Sequence, residues 1–208
     1  KEAKLTLDLV LRAKALLEEG KPARHVKRAA EEEKAFAMLQ LLTALPVLYV
    51  CNVDEAHAAS GNEQSRAVEA RAKLEHAACV TICAQMEAEF AALNDEEQAE
   101  FLAAAGLEES GLNRLIHAGY DLLGLQTYFT VGPKEARAWT IHKGNTAPQA
   151  AGVIHTDFEK GFIRAETIAY ADFVACKGEQ GAKEAGKMRL EGKDYVVREG
   201  DVMHFRFN

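Results

Sequence analysis

The 208-residue chain is poor in the features that mark several large protein classes. It holds four cysteines, Cys51, Cys79, Cys83 and Cys176, with no Cys-x-x-Cys pair among them. That spacing writes neither a disulfide framework nor a thiolate zinc centre. Cys79 and Cys83 fall in a run that reads as a strand, where both side chains share a face about 13 Å apart at ~3.3 Å per residue, too far to bridge. The plain reading is four reduced thiols in a cytoplasmic protein. No apolar run approaches the roughly eighteen residues of a membrane-spanning helix, so no membrane association is expected. No basic, apolar and small-residue series opens the chain as in a secretion signal. The chain begins at Lys1 rather than at methionine, and a missing N-terminal portion is expected. Also lacking is any Gly-x-x-x-x-Gly-Lys-Ser/Thr, the loop whose amides, lysine and hydroxyl hold phosphates and Mg²⁺.

Charge is present but unevenly spread. The formal net charge is −7. Residues 1–121 carry 13 Lys or Arg against 21 Asp or Glu, whereas residues 122–208 carry 12 against 11. An acidic body joined to a near-neutral tail predicts two modules. It also argues against a protein that coats nucleic acid by charge alone.

Periodicity then orders the chain. Leu5, Leu9, Val10, Leu16 and Leu17 recur at helical spacing, and Gly20 followed by Pro22 ends that helix. A second helix is expected over Pro22–Leu42, making an αα-hairpin whose charged stretch from Lys21 to Lys34 projects into solvent or toward a partner. Val47–Cys51 reads as a buried strand, Asn62–His76 as a helix and Cys79–Cys83 as a second buried strand. That is a βαβ unit, which places Asn52–Glu55 and Cys83–Gln85 side by side at the carboxyl edge of the sheet, where ligands bind in open α/β folds. Short helices follow at Met86–Leu93, Asp95–Ala105 and Leu112–Leu123. Asn94 and Glu97 form the capping box of the second of these. From Gln126 the period shortens. Thr127–Val131 and Ala136–Ile141 read as a hairpin, Ala147–Val153 as a helix, and Phe162–Ile168, Tyr195–Val197 and Val202–Phe207 as strands of a small β-grasp-like module.

Few residues carry obvious chemistry. Asn52-Val53-Asp54-Glu55 follows a buried strand, and Asn with a carboxylate two or three residues on is how P-loop proteins read a base. Taken alone, Asn-x-x-Glu at a strand end is far more often an ordinary turn. His155 and Asp157 have no third and fourth ligand nearby in sequence and read as a surface turn. Cys51 and Cys83 read as core thiols, and Trp139 and Phe129 as the core of the small module rather than a stacking platform. Gly178, Gly181, Gly186 and Gly192 read as loop positions. RNA contact through Lys177, Lys183, Lys187, Arg189 and Lys193 stays open, diluted by Glu179, Glu184 and Glu191.

Longer runs say more. Leu107–Phe129, Arg137–Ile141, Ala147–Gly152, His155–Arg164 and Lys177–Lys187 together closely resemble the YchF group of Obg-like ATPases, and the resemblance covers essentially the whole chain. It implies an α/β fold: the C-terminal part of a P-loop nucleotide-binding domain with an inserted α-helical hairpin, followed by a β-grasp TGS domain. On that basis residues 1–45 would be the hairpin and returning helix, 46–121 the end of the nucleotide domain and 122–208 the TGS domain. Asn52-Val53-Asp54-Glu55 matches the family's altered base motif, associated with ATP in preference to GTP. The backbone around Val53 and the loop Cys83-Ala84 would complete the adenine pocket. The implied activity is Mg²⁺-dependent ATP hydrolysis by the full-length protein, with the Mg²⁺ ligands upstream of residue 1 and this chain inactive alone. The implied setting is a cytoplasmic monomer at the ribosome, with RNA contact possible through the TGS domain. The alternative is a non-catalytic TGS and hairpin fragment that serves as an RNA- or ribosome-binding module.

Overall fold

Residues 2–208 are described by the computed structural model. The chain divides into two units, Lys1–Ala118 and Gly119–Asn208, each taken in turn.

Helix α1 (Glu2–Glu18) opens the first unit. It buries Leu9 and Ala13, with Leu5 and Leu16 packed beside them. Gly20 ends it in the left-handed region at φ +72°. The Lys21 N–H returns to the Leu16 carbonyl and the Gly20 N–H to that of Leu17, a Schellman closure. The expected second helix over Pro22–Leu42 does not form. Single 3₁₀ turns occupy Ala23–His25 and Ala30–Glu32, the short helix α2 covers Glu33–Ala37, and another turn covers Leu42–Ala44. Ala23, Val26 and Phe36 all enter the core against α1. On one continuous helix Ala23 and Phe36 would point about 140° apart, so the chain must break to bury both. The charges there serve the break. Arg12 donates to Glu32 at 2.7 Å and to the Lys27 carbonyl, while the Ala29 N–H is taken by Glu32.

Strands β1 (Leu48–Asn52) and β2 (Ala78–Ile82) pair in parallel, Leu48 opposite Ala78 and Asn52 opposite Ile82. Helix α3 (Glu63–Glu75) is their crossover. Asn62 and Ser65 cap its start reciprocally, and His76 ends it at φ +53°. Glu75 fastens the end of α3. It accepts from Tyr49, Arg24 and Arg71 at 2.8, 3.1 and 2.6 Å. Helices α4 (Ala84–Phe90) and α5 (Asp95–Ala104) then build a separate apolar cluster. In it Phe90 meets Phe101 edge to face at 5.0 Å. The Asn94–Glu97 capping box forms at the start of α5. Helix α6 (Gly111–Leu123) closes the unit and runs on across the boundary.

The second unit is a five-stranded mixed sheet of order β4-β3-β7-β5-β6. Its strands are β3 (Leu125–Val131), β4 (Ala136–His142), β5 (Phe162–Ala169), β6 (Arg189–Glu191) and β7 (Asp201–Phe207). Helix α7 (Ala147–Ile154) covers one face through Ala147, Ala150 and Ala151. Tyr128 is fully buried there and donates to the Ala150 carbonyl at 2.9 Å. Alternation along β3 therefore turns Phe129 to the other face, where it meets Tyr170 at 5.6 Å. This corrects its placement in the core; Trp139 packs against that core and donates to Thr130.

The expected strand at Tyr195–Val197 is also replaced. The segment hooks onto the loop before α7, with the Ala147 N–H on the Tyr195 carbonyl and the Val197 N–H on that of Asn145. The edge strand is β6 instead. The His155–Asp157 turn is the start of helix α8 (Thr156–Lys160), capped by the His155 ring accepting from the Asp157 N–H at 3.2 Å. Helices α9 (Tyr170–Ala175) and α10 (Glu179–Glu184) fill the link to β6.

Candidate nucleotide-base site

At the carboxyl end of β1 the chain leaves the sheet as Asn52-Val53-Asp54-Glu55, and at the same end of β2 it leaves as Cys83-Ala84. The two exits are joined. Asn52 Oδ1 accepts from the Ala84 N–H at 2.9 Å, and the Val53 N–H donates to the Ile82 carbonyl at 2.9 Å. Asn52 thus uses its side-chain carbonyl to fix the β2–α4 loop, leaving its amide nitrogen as a donor at the sheet edge. The Val53 side chain is buried, so that position offers main chain rather than a stem laid over a ring. Cys83 is buried among Ala58, Met86 and Phe90 and likewise offers only backbone. Ala84 is exposed. Glu55 starts a 3₁₀ turn, Glu55–His57, with its carboxylate exposed. Asp54 Oδ1 and His57 Nδ1 lie 2.6 Å apart and brace that turn. The loop therefore presents, in order, an amide donor, main-chain groups and a free carboxylate. That set can meet the donor and acceptor edge of a purine.

Sequence reasoning missed three features around this edge. Glu87, in the first turn of α4, accepts from the Gly111 and Leu112 N–H groups at 2.7 and 3.1 Å. Arg114 donates to the Thr81 carbonyl at 2.9 Å, one residue short of the end of β2. Cys51 and Cys79 lie with sulfurs 3.8 Å apart across the parallel pair, although only Cys79 and Cys83 invited comparison by spacing. Burial, then the contact with Cys51, pushes the Cys79 thiol up to about 11. The partners are 24 to 33 residues apart in the chain, and no local pattern announces them.

Among the described residues, the group that could hold a cation is Glu166, Glu179 and His204 in the second unit. Arg206 already engages Glu166 at 3.0 Å and, through that hydrogen bond, holds its carboxyl below the usual range. These residues do not make a phosphate-bound Mg²⁺ centre. The lysines and arginine weighed for RNA contact are partly neutralised, Lys187 by Asp172 and Arg189 by Glu191 and Asp201.

The fold is that of the C-terminal region of a P-loop protein, mixed α/β in build. Comparison with known proteins agrees. The YchF-GTPase_C family, described as a protein of unknown function (DUF933), matches residues 125–208. The chain is 52% identical to the ribosome-binding ATPase YchF of Bacillus subtilis (strain 168), aligning over all of this chain and 57% of that protein. It is 55% identical to the protein of that name from Haemophilus influenzae, with the same coverage. The solved Schizosaccharomyces pombe YchF GTPase superposes with a TM-score of 0.80 at 33% identity, over 96% of this chain and 53% of that one. A GTP-binding protein from Pyrococcus horikoshii shares the fold at a TM-score of 0.56 and 18% identity. The chain belongs to the YchF family and corresponds to the C-terminal part of its members. It spans little more than half the length of the relatives it matches.

Proposed function

We propose that this chain supplies the base-recognition edge and the C-terminal module of an ATP-binding protein that hydrolyses ATP, and GTP less well, while associated with the ribosome in the cytoplasm. The observation that carries the reading is the bond from the Ala84 N–H to Asn52 Oδ1. It locks the Asn-x-x-Glu loop to the loop after the neighbouring strand, at the sheet edge where open α/β folds bind ligands. In this reading Asn52, main chain at Val53, Glu55, Cys83 and Ala84 receive adenine. The Glu55 carboxylate accepts from the exocyclic amine, a donor that guanine carries elsewhere on its ring. The triphosphate and its Mg²⁺ would be held by residues outside this chain, which contains no phosphate loop of its own. Residues 1–45 would be the helical insertion, 46–121 the end of the nucleotide domain and 122–208 the TGS domain. The names of the relatives, ribosome-binding ATPase, support the activity and the partner.

Titrations of Mg²⁺·ATP and Mg²⁺·GTP test this, on residues 1–208 and on the protein at the length of its relatives. The longer protein is expected to prefer ATP and to lose about tenfold in affinity on Asn52→Ala, as expected when an interaction worth about 1.4 kcal/mol is removed. Equal binding of both nucleotides, indifferent to Asn52 and Glu55, would sink the reading. A second reading has its own support. Residues 119–208 form a unit with a complete core, as a freestanding RNA- or ribosome-docking module would. Co-sedimentation of residues 1–208 with ribosomes in the absence of nucleotide would favour it.

A further inference from the structure

Something must hold the β2–α4 loop in place if Ala84 is to meet Asn52. Helix α4 is short, and no side chain of Cys83 caps it. Its first turn is tied instead through Glu87. Both carboxylate oxygens leave the helix and accept the first two N–H groups of α6, Gly111 at 2.7 Å and Leu112 at 3.1 Å. Those N–H groups have no partner inside α6, and a charged acceptor makes each bond stronger than a neutral one. The same end of α6 is fixed a second time by Arg114, which donates to the Thr81 carbonyl in β2. Gly111 permits this approach. A Cβ there would lie 2.8 Å from Glu87 Oε1 and 3.0 Å from Ile82 Cγ2. The start of α6 is therefore wedged between the last residues of β2 and the first turn of α4, the two pieces of chain joined by Cys83.

Resting on the base-site reading above, we propose that Glu87 is a positioning residue for nucleotide-base recognition. By clamping α4 to α6 it sets where the Ala84 N–H and the neighbouring main chain present themselves to the base. Glu87 does not touch the base. Its loss frees the first turn of α4 without removing Met86 and Phe90 from the core, so the loop shifts while the unit stays folded.

The test uses the protein at the length of its relatives and compares binding of Mg²⁺·ATP with binding of Mg²⁺·tripolyphosphate, which has no base. Glu87→Ala is expected to weaken ATP about tenfold and leave tripolyphosphate unchanged. Glu87→Gln keeps one carbonyl acceptor and is expected to lie between, at about threefold. Wild-type affinity for ATP in Glu87→Ala overturns the proposal, and so does equal weakening of both probes, which marks a general structural loss. Should Glu87→Ala fail to fold, Glu87→Gln decides: selective weakening supports the clamp and unchanged binding overturns it. Asn52→Ala and Glu55→Ala run alongside separate the two ideas. If neither changes ATP binding, the base-site reading itself has failed, whatever Glu87 does.

Discussion

The two units solve the same problem, burying a sheet, in unequal ways. In residues 119–208 the central strand β7 has neighbours on both sides, and one helix covers a face that holds Tyr128, Met203 and Phe205. In residues 1–118 the sheet is one parallel pair, every residue of β2 is only half-buried, and Val50 of β1 is 44% exposed. Parallel strands are normally covered on both faces. The apolar clusters of the first unit lie beside that pair, around α1 and around α4–α5, and Leu7, Leu11, Leu42 and Leu45 remain exposed. A closed core makes a unit self-sufficient. An open one holds its loops, here Asn52–Glu55, on a frame that its own residues only partly stabilise.

Separation should produce the largest effect. A piece of residues 110–208, which keeps α6 whole, is expected to unfold in urea as a single cooperative transition. Residues 1–124 are expected to give a broad transition and bind an apolar dye, because an open pair of parallel strands exposes apolar faces. A sharp two-state transition from both pieces would break the contrast.

Single truncations sharpen it. Tyr128→Ala removes a fully buried ring and its hydrogen bond to Ala150 and is expected to cost about 3–5 kcal/mol in the second unit's transition. Val50→Ala in β1 is expected to cost about 1 kcal/mol or less, since nearly half of that side chain is already in water. Between the two falls Gly111→Ala. Its Cβ would press on Glu87 and Ile82, at a cost of about 1–3 kcal/mol confined to the first unit.

A pH titration isolates the polar side of the first unit. Hydrogen bonds from Tyr49 and Arg71, with the ion pairs, hold the Glu75 carboxyl below its ordinary value of 4.5. A carboxyl lowered on folding stabilises the native state above its unfolded value, and the benefit disappears as pH falls through the folded value. The gap in urea midpoint between wild type and Glu75→Gln should therefore be widest near neutrality and narrow as pH falls below 4.5. A gap independent of pH would mean that Glu75 acts through packing alone.

What could be read in advance follows the range of each interaction. The Asn94–Glu97 box, the glycine stop at Gly20 and the β3–β4 hairpin are local devices, and each is legible within a few residues. The break at residues 22–42 was not. Helical propensity and a charged stretch say helix, and only the joint burial of Ala23, Val26 and Phe36 against α1 says otherwise. Strand β6 is three residues long and exists because β5 offers it an edge. The Asn52–Glu55 loop stands out as a motif at the strand end, and its contact with Ala84 follows from the βαβ order. The Glu87–Gly111 clamp and the Cys51–Cys79 contact needed the register of β1 on β2 and the return of α6, which no local signal encodes.

That last contact gives the smallest and most local test of the comparison. Cys51 lies two places past the residue paired with Cys79, and the diagonal brings their sulfurs to 3.8 Å inside a half-buried sheet. Burial raises the Cys79 thiol to about 11, with the Cys51 contact adding to it. Since the thiolate is the reactive form, raising the thiol above its ordinary value lowers the reactive population near pH 8. Alkylation of Cys79 by iodoacetamide, followed residue by residue by mass spectrometry, should be clearly slower in the folded chain than in urea. The folded rate should climb steadily as pH passes 9. Equal rates in folded and unfolded chain would show that the open sheet admits water to β2 as freely as unfolding does. The first unit would then have no protected strand pair of its own.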